Sequence, residues 1–201
     1  MLKSILAYID SAFTFPPRAA SAEAVDYAVR ETFDKLVSYP VLQLGFEDNE
    51  LMVARQNELD GLDSTPRVWQ DAGVHHVVAG WYVHERTALD KAARQAKSLK
   101  YKLSVHTENY MVYMDNMVKS QVHYAIIVAN WFVQPERVFK LYQGFIDTFL
   151  KLTVNGSILV ISKHLLPPLE ELKFDGFERL NDKGDFVLFK RLPDAPTVNP
   201  I

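Results

Sequence analysis

Several apolar segments of the sequence end in residues that could bind a ligand. Residues 41–44 (VLQL) lead into Gly45, and residues 124–129 (YAIIVA) lead into Asn130. A glycine lets the backbone approach a bound group closely, and an asparagine amide can both donate and accept hydrogen bonds. Aromatic rings near such positions can stack on a flat ligand. The full set of candidate binding residues is Gly45, Phe46, Glu47, Asn49, Trp81, Tyr82, Glu108, Asn109, Asn130 and Trp131.

These residues also have purely structural interpretations. Asp48 or Asn49 could cap a helix that begins at Glu50, because short polar side chains accept hydrogen bonds from the first turn of a helix. The aromatic residues of the set could instead pack in the core at the ends of strands. The sequence leaves both alternatives open.

The candidate residues belong to an alternating pattern of strands and helices. Apolar runs predict five strands, which are VLQLGF, HHVVAGWYV, KLSVHTE, VHYAIIVANWF and SILVIS. The helical segments between them include residues 85–101 and a long amphipathic helix that begins at Pro135, whereas residues 110–120 fit a helix or a strand. Two helices, residues 2–13 and 21–39, precede the first strand, and FERL and DFVLFKR predict a terminal hairpin.

This order predicts an α/β fold with a doubly wound, mostly parallel sheet, a C-terminal antiparallel β-hairpin and N-terminal helices. In such sheets ligands bind beyond the carboxyl ends of the strands, where the strand order reverses. We expect residues 39–192 to form the α/β domain, residues 1–38 to pack on it as helices, and residues 193–201 to form an extended tail.

Composition narrows the classes of function. The 201 residues carry a net charge of −3, so the overall charge does not indicate nucleic-acid binding. No apolar run reaches the roughly 18 residues that span a bilayer, and we expect no membrane association. The chain has no cysteine, which excludes disulfides and thiolate chemistry and fits a reducing, cytoplasmic location.

The histidines do not predict a metal site. None has the spacing of a zinc-binding helix, and no cysteine accompanies them, so we expect them to be surface or packed residues. His84, just beyond the second predicted strand, is the best candidate for a general base. The sequence also lacks the nucleophile elbow GxSxG, the phosphate-binding loop GxxxxGK[ST] and a dinucleotide fingerprint.

Five segments, in order, resemble the motifs of the class I S-adenosylmethionine (SAM) methyltransferases. YPVLQLGFEDNEL resembles the first strand and its glycine loop, and VVAGWYVHERTALDKAARQA resembles the second strand and its helix. YAIIVANWFVQPE resembles the fourth strand, LTVNGSILVIS resembles the start of the fifth, and GFERLNDKGDFVLFKR resembles the closing antiparallel pair. The resemblance covers roughly residues 39–192 and implies the Rossmann-like methyltransferase fold with SAM as cofactor.

The resemblance also implies which residues bind the cofactor. Gly45 matches the first glycine of the loop, but Phe46 and Glu47 replace later glycines, and Tyr82 stands where the family has a ribose-binding acid. The pair Glu108 and Asn109 matches the acidic pair after the third strand.

These departures imply a methyltransferase-like protein whose SAM binding is weakened or lost. The alternative is a catalytically inactive subunit with this fold that serves a structural or partner-binding role, with a protein partner or a homo-oligomer as its assembly. A different doubly wound nucleotide-binding protein is a third possibility.

Overall fold

The computed structural model describes residues 18–32, 35–36, 38–45, 73–78, 94, 102–130, 141–167 and 172–193. These residues form helices, strands and one short 3-10 turn, Lys163–Leu165. The helices are α1 (Arg18–Thr32), α2 (Tyr110–Lys119) and α3 (Gln143–Leu152). The strands are β1 (Val41–Gly45), β2 (Val74–Val78), β3 (Leu103–Thr107), β4 (Tyr124–Asn130), β5 (Thr153–Ser162), β6 (Phe177–Arg179) and β7 (Phe186–Arg191).

The described strands form one sheet in the order β3-β2-β1-β4-β5-β7-β6. Strands β1 to β5 run parallel, and β7 is antiparallel to both β5 and β6. Strand β4 lies near the middle of the sheet and is buried at every position, as its unbroken apolar sequence YAIIVAN requires of a strand covered on both faces. The predicted fold class is confirmed, including the parallel pairing of β1 with β4.

Helices cover both faces of this sheet. On one face α1 packs through small residues that include Ala24 and Ala28, so its backbone lies close to β4 and β5. On the other face α2 and α3 bury larger side chains, among them Tyr113, Met114 and Phe149. Burial of such a side chain stabilises the fold by about 1.5–3 kcal/mol.

Two helix predictions were wrong in their bounds. The second of the two predicted N-terminal helices was expected over residues 21–39, but α1 spans Arg18–Thr32. The backbone oxygen of Thr32 accepts hydrogen bonds from the amides of Lys35 and Leu36, and the Thr32 hydroxyl donates back to the Ala28 oxygen at 2.8 Å. The helix therefore begins and ends earlier than the apolar periodicity predicts.

The helix expected to run from Pro135 begins, within the described residues, only at Gln143 as α3. Leu141 donates its amide to the Leu165 oxygen, and Tyr142 has extended backbone angles (φ −128°, ψ 168°). The contact with the 3-10 turn thus holds these two residues out of a helix, and α3 begins only at Gln143. The helix/strand ambiguity of residues 110–120 resolves as helix α2, capped by Asn109.

Other predicted elements lie outside the described residues. They are the helix over residues 2–13, the segments after β1 and the tail from residue 194. Of the helix predicted over residues 85–101, the structure describes Arg94, which is helical.

Candidate functional site

The strand order places the end of β1 beside the end of β4 at the switch point of the sheet. The chain runs from β1 outwards to β2 and β3, then crosses to β4 on the other side of β1. In sheets with such a reversal of strand order, ligands bind beyond the carboxyl ends of the strands at this switch point, which is here called the crevice. Gly45 and Asn130 are the last residues of β1 and β4, and the register pairs them directly.

Gly45 closes β1 with a left-handed backbone. Its φ of 73° is an angle that residues with a side chain rarely adopt. The four preceding residues of the strand are buried, so this left-handed residue lies at the carboxyl edge of the sheet. A glycine at this position adopts the angle without strain and adds no side chain at that edge.

Asn130 is the most informative polar side chain at this edge. The residue is only 4% exposed, and it is the one polar residue of the otherwise apolar β4 segment 125–130. An asparagine amide can both donate and accept hydrogen bonds. Asn130 therefore brings a hydrogen-bonding side chain to the carboxyl end of the central strand.

At the third strand end, Glu108 and Asn109 follow β3. The Asn109 side-chain oxygen accepts hydrogen bonds from the amides of Met111 at 2.9 Å and Val112 at 3.4 Å. This is the geometry of a helix N-cap, and it gives Asn109 a structural role in starting α2. Glu108 is half-buried beside it.

The other predicted site residues lie outside the described residues. They are Phe46, Glu47, Asn49, Trp81, Tyr82 and Trp131, together with the candidate base His84. The predicted cofactor roles of Gly45, Glu108, Asn109 and Asn130 stay predictions, although the structure does bring Gly45 and Asn130 together.

The set of candidate residues from the sequence did not include Ser162, the last residue of β5. Ala129 pairs with Ile161, so the next residues, Asn130 and Ser162, end their strands side by side. Ser162 is buried, and its hydroxyl lies 2.6 Å from Nδ1 of His164 in the 3-10 turn. The available signal was a polar residue ending an apolar strand, SILVIS, as Asn130 ends YAIIVAN.

A second polar cluster lies at the opposite, amino end of the strands. Nδ1 of His75 lies 2.8 Å from the Tyr124 hydroxyl and 2.9 Å from the Tyr113 hydroxyl. Burial, with help from His106 and Lys102, lowers the pKa of His75 to about 4, so its imidazole is neutral at neutral pH. Burial also raises the pKa values of Tyr113 and Tyr124, which stay protonated and can donate to the imidazole.

The described residues were also compared with the patterns of metal sites and of membrane-spanning helices. They contain no group of three or more His, Asp or Glu side chains placed to hold a metal ion. Their helices are also too short or too polar to cross a membrane.

Solved structures with a similar fold are methyltransferases. The candidate methyltransferase yhhF from Escherichia coli is 12% identical over 85% of this chain and 86% of its own, with a TM-score of 0.51. The N-methyltransferase NodS from Bradyrhizobium japonicum WM9 is 10% identical over 89% of this chain and 99% of its own, with a TM-score of 0.50.

TrmN from Thermus thermophilus is 17% identical over 84% of this chain, with a TM-score of 0.48, and this chain spans 48% of TrmN. No protein-family model matches the sequence, and no curated protein matches it significantly. Identities this low establish the fold and not the activity. The chain therefore has the class I methyltransferase-like fold.

Proposed function

We propose that this chain is a SAM-dependent methyltransferase that binds its cofactor where β1 and β4 end. The observation that carries the proposal is the pair Gly45 and Asn130 at the switch point of the sheet. Gly45 supplies a left-handed backbone without a side chain, and Asn130 supplies an almost wholly buried polar side chain beside it. Methyl transfer needs mainly alignment of the acceptor with the methyl group, so it does not require a conspicuous catalytic motif.

The residues present fit a polar cofactor at this edge. An asparagine amide can bond both the donors and the acceptors of an amino acid or a nucleoside, the two parts of SAM. The likeness to methyltransferase structures supports this choice of ligand over another nucleotide, although it establishes the fold alone.

Isothermal titration with SAM and with S-adenosylhomocysteine (SAH) tests the proposal. We expect both ligands to bind the unmodified protein and Gly45→Ala to weaken binding at least tenfold. The added methyl group strains the turn and enters the crevice, and a tenfold loss corresponds to about 1.4 kcal/mol.

Gly156→Ala is the matched control. Gly156 also has a positive φ, 87°, but it lies near the amino end of β5, and an added Cβ there meets only Leu36 at an ordinary 3.9 Å. Both variants therefore carry a similar backbone strain of about 1 kcal/mol, while only Gly45→Ala alters the crevice. Equal SAM affinity in the two variants would place the ligand elsewhere, and no heat from the unmodified protein would contradict the proposal.

A second candidate function is a non-catalytic subunit with this fold. The specific observation in its favour is the sequence after Gly45, where Phe46 and Glu47 stand in place of glycines and add bulk and negative charge. For this function we expect no SAM binding and a stable complex, either with a protein partner or between copies of the chain. Size-exclusion chromatography with light scattering detects a complex between copies of the chain, and a protein that stays monomeric at all concentrations would exclude the homo-oligomer.

A further inference from the structure

The amino end of β5 departs from regular pairing with β4. The register passes from Tyr124 opposite Thr153 to Ile126 opposite Ile158, so residues 154–157 lie opposite a single residue of β4. Extra residues of this kind form a β-bulge, and the hydrogen-bonded ladder is disrupted where they occur. The chain therefore makes an irregular turn before the regular pairing of β5 begins at Ile158.

Asn155 and Gly156 form the tip of this turn. The Val154 amide donates to Ser157 Oγ at 3.0 Å, and this bond closes the turn across the two residues. Ser157 is buried, and its hydroxyl donates to the Tyr124 oxygen at 2.8 Å, whereas Asn155 is exposed. The ends of the turn are thus held by hydrogen bonds, while Asn155 lies at the surface.

Gly156 leaves space beside the backbone nitrogen that follows Asn155. Its φ of 87° is an angle that favours glycine. A Cβ built at Gly156 would have one near neighbour among the described residues, Leu36 at 3.9 Å. In other pairs of asparagine and a following residue, the second side chain shields this nitrogen from the asparagine amide. Here no side chain stands between the two groups.

We propose that Asn155 is a site of spontaneous modification, where the side-chain amide becomes a carboxylate through a cyclic imide with the backbone nitrogen of Gly156. This inference is independent of the proposed function. Asparagine is among the thermolabile residues of proteins. Ring closure is easiest for an exposed asparagine that precedes a glycine and lies outside a regular ladder, and Asn155 meets these three conditions.

The reaction needs no reactant other than water. The Gly156 nitrogen gives its proton to water and forms a bond to Cγ of Asn155, while the bond from Cγ to the amide nitrogen breaks. That nitrogen takes up a proton and leaves as ammonia. Water then opens the five-membered imide. Cleavage of the ring bond to Cγ yields aspartate at position 155, and cleavage of the ring bond to the backbone carbonyl yields isoaspartate, in which the main chain runs through Cβ and Cγ.

The two products have different effects on the turn. Both add one negative charge at the surface, but isoaspartate also lengthens the backbone between Val154 and Ser157. The longer turn cannot keep the bond from the Val154 amide to Ser157 Oγ. We expect loss of this one hydrogen bond to lower the Tm of the isoaspartyl protein by about 2–4 °C, measured by calorimetry.

Asn155→Asp is the matched control for the charge. It carries the same negative charge as both products on a backbone of normal length, so its Tm should equal that of the unmodified protein. Protein that has been incubated and then separated from unreacted chains by anion exchange should unfold at a lower temperature than Asn155→Asp. Equal Tm values would show that the turn is not lengthened.

Mass spectrometry of tryptic peptides measures the modification itself. The folded protein is incubated at mildly alkaline pH, and cleavage after Lys151 and Lys163 gives the peptide 152–163, whose sole asparagine is Asn155. We expect this peptide to exchange its amide for a carboxylate with time and to contain both aspartate and isoaspartate.

Two other exposed asparagines of the same protein serve as internal controls. Asn116 lies in α2 and precedes Met117, and Asn181 precedes Asp182, so a side chain follows each of them. Both should react several-fold more slowly than Asn155. Equal rates at the three positions, or reaction of Asn155 only after the protein is unfolded in urea, would overturn the inference.

Gly156→Ala tests the path through the imide. Its methyl group stands beside the attacking nitrogen, so the modification of Asn155 should slow several-fold. Circular dichroism should confirm that the variant is folded. An unchanged rate in folded Gly156→Ala, with aspartate as the sole product, would show direct hydrolysis of the side chain and contradict the part assigned to Gly156.

Discussion

At the scale of single residues, the side chain of Asn130 should contribute to ligand binding. It is 4% exposed and ends the central strand β4 beside Gly45. Asn130→Leu keeps a similar volume and removes the polar atoms. We expect this variant to weaken SAH binding about tenfold, measured by isothermal titration, because it removes hydrogen bonds to the ligand.

Ser157→Ala is a useful contrast for that prediction. The Ser157 hydroxyl is also buried in the sheet, but it donates to the Tyr124 oxygen at 2.8 Å and accepts from the Val154 amide at 3.0 Å. Its removal should destabilise the protein by about 1 kcal/mol. Because Ser157 lies near the amino end of β5, its removal should leave SAH affinity unchanged. An equal loss of SAH affinity in the two variants would contradict a specific role of Asn130 in binding.

His75 makes the stability of the protein depend on pH. Its pKa is about 4 in the folded protein, against an ordinary 6.5 when unfolded, because it is buried near His106 and Lys102. Between these values the unfolded state binds the proton and the folded state does not, so stability falls as the pH decreases from 6.5 towards 4. We expect a loss of about 1–2 kcal/mol over this range, after allowance for partial exposure of the ring.

Urea denaturation at several pH values between 7 and 4 measures this effect. His75→Gln should be less stable at pH 7 but should show a weaker dependence on pH over this range. His123→Gln, which also removes a half-buried histidine, is the matched control for the loss of an imidazole ring. If the stability of His75→Gln falls with decreasing pH as steeply as that of the unmodified protein, the effect belongs to other groups.

At the scale of elements, two substitutions of Asn109 distinguish its role as the N-cap of α2 from a role in cofactor binding. Asn109→Ala removes the acceptor for the Met111 and Val112 amides and should cost about 1 kcal/mol of stability. Asn109→Asp keeps the cap and should retain that stability. If SAH affinity is unchanged in Asn109→Asp, the residue is a cap alone; if affinity falls while stability is kept, Asn109 also contacts the cofactor, as its sequence position predicts.

The sequence predicted the strands better than the bounds of the helices. A strand such as β4, which is apolar until its last residue, is compatible with the middle of a parallel sheet that helices cover on both faces. The start of α3 depends instead on a contact distant in sequence, the hydrogen bond from the Leu141 amide to the Leu165 oxygen. Apolar periodicity carries no information about that bond.

Part of the candidate site was also predictable from the strands. Gly45 and Asn130 follow from the strand pattern, because parallel strands bring their carboxyl ends to one edge. Ser162 was missed because its place beside Asn130 depends on the register of β5 against β4, which the sequence does not reveal. The N-cap role of Asn109 depends on whether residues 110–120 form a helix, which the sequence left undecided.

At the scale of the whole molecule, a ligand at the switch point should stabilise the folded protein. Binding to the folded state alone adds about 2.7 kcal/mol when the ligand is at one hundred times its Kd. For a domain of this size each 1 kcal/mol raises Tm by about 2–4 °C, so a rise of roughly 5–10 °C is expected with SAH. Calorimetry should show this rise for the unmodified protein and for Gly156→Ala, and a much smaller one for Gly45→Ala.

The position of β7 has a consequence for how the protein is made. This strand lies between β5 and β6, so β5 keeps an open row of backbone donors and acceptors until residues 186–191 emerge from the ribosome. Because β5 is almost wholly apolar after Ser157, a nascent chain halted before that point would present a strand edge able to pair with other chains. Synthesis that stalls within the last hairpin should therefore yield aggregates, whereas release of the hairpin should yield soluble protein.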